Sequence, residues 1–169
     1  MALSPRLRDR SWSSTQVRLA DGAVESVQRV TFPAPVVERT DAGARKLGDL
    51  YWRALRQSTF GFLRMTSDAD GFEIRLLGHG PALLRFSPEQ KSVSDDTVTC
   101  RYAILGGLLA RAPAGSIRFT QEGTDGVAVT SAVEGFLPRL GVLYAPVQSR
   151  LHVALGRRYF ARLQRGDDQ

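Results

Sequence analysis

The chain predicts an α+β fold, a curved antiparallel sheet wrapped around a long C-terminal helix, and three observations carry that prediction. Residues 72–136 alternate apolar and polar side chains with period two and are broken by short turns. Residues 42–57 place their apolar side chains on one helical face, and 143–163 do so over a much greater length. A long amphipathic helix that follows a half-apolar sheet must cover that sheet, because its stripe cannot stay in water.

The elements follow in order. Residues 1–15 are polar and arginine-rich and are expected to be loosely ordered, ahead of a single domain over 16–165. Val24, Val27, Val30 and Phe32 give an imperfect strand pattern, which Pro33-Ala34-Pro35 ends. Thr40 or Asp41 then caps a helix whose face is Leu47, Leu50, Tyr51, Ala54 and Leu55. Strands are expected at Phe72–Leu77 and Ala82–Phe86, joined by Gly78-His79-Gly80-Pro81. Ser87-Pro88-Glu89-Gln90 reads as a second turn. In the next strand Val98, Cys100, Tyr102 and Ile104 share one face, and Gly106-Gly107 permits a bend or bulge. Ser116–Glu122 and Val127–Phe136 form the clearest hairpin, with Ile117 and Phe119 matched by Val127, Val129 and Val133.

In the last helix Leu143, Val147, Leu151, Leu155, Tyr159 and Leu163 recur at every fourth residue. At 100° per residue that row drifts by about 40° per step, so its seam rotates and meets different neighbours along its length. Gly156 beside the row allows close approach of another backbone.

Composition excludes several classes. The chain has 169 residues, 43% hydrophobic and 24% charged, which suits one soluble domain with a sizeable core. No run of about 18 apolar residues could span a membrane. Met1 to Ser14 lacks a continuous apolar segment and a small-residue cleavage site, so a cytoplasmic location is expected. The single Cys100 agrees and reads as a small buried hydrophobe. The net charge of +6 divides as +2 from residues 1–10, +4 from 137–169, and zero from 11–136, where 14 basic side chains meet 14 acidic ones. A nucleic-acid site needs a contiguous basic stripe, so no specific nucleic-acid partner is expected. Weak attraction to anionic membrane surfaces stays open.

Candidate chemistry is sparse. His79, between glycines, reads as an exposed turn residue, and His152 borders the apolar row of the last helix as a satisfied or partly exposed side chain. Two histidines without carboxylate or cysteine spacing make no metal site, and no cofactor motif is present. Asp95-Asp96 reads as a solvated loop, and Arg101 as a surface arginine unless its face looks into a cavity. No nucleophile elbow occurs.

The order of strand, Pro33-Ala34-Pro35, helix, antiparallel strands and long terminal helix resembles the START-like superfamily over residues 24–163. These helix-grip proteins include lipid-transfer domains, plant pollen-allergen proteins and polyketide cyclases. The resemblance implies an apolar cavity between sheet and terminal helix, with binding or carriage of a small hydrophobic molecule. Tyr102, Ile117, Phe119, Val129, Val147, Leu151, His152 and Leu155 are the ligand-binding residues that it suggests. The alternatives are a cyclase or aromatase acting in the same cavity, and a non-enzymatic protein-interaction module. Cofactors are expected to be none, and the oligomeric state is not legible.

Overall fold

A computed structural model of the chain describes residues 12–113, 115–124, 126–139 and 141–165, with the backbone alone over 141–151. Nine strands and two helices follow in sequence among the described residues. They are β1 (Trp12–Arg18), β2 (Val24–Phe32), α1 (Asp41–Ser58), β3 (Leu63–Asp68), β4 (Gly71–Leu76), β5 (Leu84–Phe86), β6 (Gln90–Val93), β7 (Thr97–Gly106), β8 (Ser116–Glu122), β9 (Val127–Phe136) and α2 (Gly141–Arg165). The strands form one sheet in the order β1-β2-β9-β8-β7-β5-β4-β3, with β6 also on β7. Every pairing is antiparallel. The α+β, helix-grip architecture expected from the sequence is therefore the one observed.

Period-two patterning decides which face is buried. Val98, Cys100, Tyr102 and Ile104 of β7 all point inward, as do Ile117 and Phe119 of β8. The cross-strand pairs Cys100↔Phe119, Tyr102↔Ile117 and Ile117↔Val133 hold these faces in register. Register shifts between Val24 and Ser26 on β2, and between Arg85 and Phe86 on β5, bend the sheet. The second shift lies opposite Gly106, where a bulge was expected.

Thr40 is the N-cap of α1 and accepts a hydrogen bond from the Gly43 N–H at 3.1 Å. The five residues of the expected face are buried, and Trp52 joins them. An aromatic cluster results. Tyr51 lies 4.6 Å from Phe119 and Trp52 lies 5.5 Å from Tyr102, between ring centroids. These rings fill the space between α1 and the middle of the sheet.

Two expectations change. β1 begins at Trp12, inside the stretch assigned to a loosely ordered start, because Trp12 packs its ring on Phe160 at 5.3 Å and all of β1 pairs with residues 24–30 of β2. Residues 1–11 lie outside the described residues. Gln90, read as part of a turn, opens β6, which pairs with Val98–Arg101 of β7. Strands β3 and β6 escape the alternation test because almost all of their residues are exposed or half-exposed.

The terminal helix does not cover the sheet alone. Leu155, Tyr159, Phe160 and Leu163 of α2 are buried, and Tyr159 meets Tyr51 of α1 at 5.6 Å and Phe119 of β8 at 5.5 Å. Both helices share the apolar face, α1 over β6, β7 and β8 and α2 beside it against β2. Gly156 makes that second approach close. A Cβ there would sit 1.6 Å from Oε1 of Gln28, which is fully buried on β2. The neighbour is a side chain rather than the expected backbone. Gly156→Ala is expected to cost roughly 1–3 kcal/mol by displacing Gln28 in a closed space, read as a shift of the urea midpoint with an unchanged slope.

Candidate functional site

An apolar cavity of about 210 Å³ lies between the sheet and the two helices. From α1 it is lined by Tyr51, Trp52 and Leu55, and from α2 by His152 and Leu155. The sheet contributes Ile104 of β7, Ile117 of β8, and Val133 and Phe136 of β9. Leu63, Ile74, Leu84 and Phe86 from β3 to β5, with Leu83 and Leu109 from the connecting loops, complete the wall. Aromatic rings fill the core beside it, whereas much of this wall is leucine, isoleucine and valine.

His152 is the only histidine in that wall. Its backbone carbonyl accepts a hydrogen bond from Gln28 Nε2 at 3.1 Å, which ties this turn of α2 to β2. Its ring Nε2 is buried and has no hydrogen-bond partner among the described residues. Burial pushes the imidazole pKa down to about 4, so the ring is neutral near pH 7. A neutral imidazole nitrogen in apolar surroundings is an open hydrogen-bonding position. The Trp52 indole N–H, also in the wall, forms no well-made hydrogen bond and lies toward the Tyr102 hydroxyl. Ser131 Oγ and Tyr159 Oη are buried without partners too, but neither borders the cavity.

The sequence-derived site divides three ways. Ile117, His152 and Leu155 line the cavity. Tyr102, Phe119 and Val129 are buried in packed core that does not border it, and Trp52 and Tyr51 of α1 pack on Tyr102 and Phe119. The side chains of Val147 and Leu151, with Leu143 of the same row, fall outside the described residues. His152 is half-buried as a residue, in keeping with the partly exposed side chain expected from its place beside the row, while its ring Nε2 is buried and unpartnered among the described residues. It stands three residues before Leu155, within the same helical face, and that spacing was the available signal. The α1 contribution was missed because Tyr51 and Leu55 read as core; nothing in their spacing separates a cavity wall from packed interior.

The other candidates lie elsewhere. His79 is exposed, with Nδ1 2.8 Å from the Leu77 carbonyl. Arg101 is exposed on the outward face of β7. Asp96 accepts hydrogen bonds from the Ser94 and Thr97 hydroxyls in a solvated turn. Cys100 is fully buried, and desolvation raises its thiol pKa, which leaves it unreactive. No group of three or more metal-ligating side chains occurs among the described residues. No helix among them is long and apolar enough to cross a membrane.

No protein-family model matches the chain, and no curated protein matches it in sequence. Among solved structures it is similar to the lipid transfer and protein localization domain of human StarD13 (DLC2), at 12% identity and a TM-score of 0.45. That likeness covers 91% of this chain and 89% of that one.

Proposed function

We propose that this protein binds a small hydrophobic molecule in the cavity between α1, α2 and the sheet, with the ligand's polar end at His152 Nε2. The cavity itself carries the reading: about 210 Å³ of space walled mainly by hydrocarbon, with one unpartnered neutral imidazole nitrogen. An interaction module would need no such apolar cavity. Size constrains the ligand, since a cavity of about 150 Å³ takes benzene and drug-sized sites run to roughly 300–1,000 Å³. A substituted aromatic ring or a short acyl chain fits that scale. Charge constrains it further, because an anion would enter an apolar site without a cation in the described wall. A neutral molecule with one hydroxyl or carbonyl is the best match.

Native mass spectrometry of protein purified from its host tests this directly by weighing any co-purifying molecule. In solution, an apolar fluorescent probe should bind the wild type and be displaced by single-ring phenols or medium-chain alcohols. Leu155→Arg should abolish that binding by placing a charge in the cavity. A wild type that binds no probe, with no molecule retained in the mass spectrum, would sink the reading.

A further inference from the structure

Two residues other than glycine have positive φ among the described residues, Phe60 at 52° and Leu77 at 53°. Both are large, apolar and exposed, Phe60 to 85%. Such residues rarely adopt this backbone. Phe60 follows the α1 C-cap Thr59, where hydrogen bonds from Phe60 N to Gln57 O and from Gly61 N to Arg56 O close the helix end. Glycine is the usual residue at that left-handed position. Leu77 and Gly78 form the centre of a turn closed by His79 N to Leu76 O, with positive φ at both, a place normally taken by Asn-Gly. The backbone thus holds two bulky apolar side chains outward at positions suited to glycine or asparagine.

The two turns are neighbours. Leu77 N donates to Phe62 O at 2.6 Å, and Leu63 pairs with Leu76 across β3 and β4. Phe62 and Leu76 are themselves more than half exposed, so four apolar side chains project from one end of the sheet. Beside them runs a groove lined by Arg53 and Arg56 of α1, Arg64 of β3 and Arg162 of α2, with Asp49 as its one carboxylate among the described residues. Arg162 donates to Gln57 in the same groove.

We propose that these two turns and the adjoining arginine groove are the surface by which the protein binds anionic lipid bilayers. Narrow projecting turns are poorly shaped for a protein partner, which needs roughly 800 Å² of complementary surface on each side. A bilayer accepts protruding apolar side chains without shape complementarity, and its acidic headgroups complement a basic collar. Phe62 directly precedes Leu63 of the cavity wall, so docking would bring the bilayer close to the cavity. The bilayer proposal stands whether or not that cavity holds a ligand.

Co-sedimentation of the full chain with vesicles of phosphatidylcholine, alone or with phosphatidylserine, tests it. Binding should be at least about tenfold tighter to the phosphatidylserine vesicles, and should weaken as salt is raised. Phe60→Gly combined with Leu77→Gly should bind about tenfold more weakly while melting at a higher temperature, since glycine suits both backbones. A rise in Tm with a loss of binding excludes misfolding as the cause. Arg56→Gln with Arg64→Gln should remove the preference for phosphatidylserine. Equal binding to both vesicle types would overturn the proposal. So would wild-type binding by either double variant, which would place the attraction on arginines elsewhere. Absent vesicle binding together with capture of an acidic peptide would assign the surface to a protein instead.

Discussion

Trp52→Ala should remove about 3–5 kcal/mol of stability, the range for truncating a large buried aromatic. Trp52 is 6% exposed and stands where α1 meets the sheet. Its ring lies 5.1 Å from Tyr51, 5.0 Å from Phe72, 5.2 Å from Phe86 and 5.5 Å from Tyr102, all edge-on. Edge-on pairs at these distances add to the area that the ring removes from water. Trp52 also borders the existing cavity, so its removal joins a new void to an old one, and the neighbouring rings cannot easily close both. Urea unfolding should show the midpoint fall with little change in slope. Trp52→Phe should lose much less, because an aromatic ring remains among the others. A cost below about 1 kcal/mol for the alanine variant would mean that the cluster does not hold α1 to the sheet.

Much of this architecture was legible because patterning and burial are the same constraint. Cys100, Tyr102 and Ile104 announce an inward face of β7, and the face of α1 from Leu47 to Leu55 announces its contact with the sheet. β1, β3 and β6 were not legible. Trp12–Arg18 has an almost wholly exposed pattern, and its place is decided by pairing with β2 and by one distant ring contact between Trp12 and Phe160. The candidate site was legible in part for a related reason. Ile117 and Leu155 point the right way by period, but the same period marks Phe119 and Val129, which are solid core. What separates them is how the space above is filled, since Tyr51 of α1 and Tyr159 of α2 both pack on Phe119 while the cavity lies at Ile117. Phe60 and Leu77 were invisible as features until their backbone angles were known.

Stability should fall steeply in mild acid because of His152. Burial lowers its folded-state pKa from 6.5 to about 4. Between those values the unfolded chain takes up a proton that the folded chain refuses, so acid favours unfolding. The contribution is fully present above pH 6.5, is lost as pH falls toward 4, and stays level below that. The full difference is worth roughly 3 kcal/mol at about 1.4 kcal/mol for each pKa unit. Asp49 acts in the opposite sense. Desolvation raises its carboxyl pKa, so the folded chain binds that proton more readily than the unfolded one. The difference between wild type and His152→Leu separates the two effects. That variant keeps the backbone carbonyl that receives Gln28 Nε2 and removes the unpartnered nitrogen, so it should match or exceed wild-type stability at pH 7. Denaturant midpoints measured from pH 7 down to 4 should then show the wild type losing more than the variant. Parallel pH curves for wild type and His152→Leu would mean that water reaches the ring and that the cavity is open to solvent. In that case a ligand's hydroxyl would gain little by meeting Nε2, and the choice of a neutral hydrogen-bonding ligand would lose its physical basis.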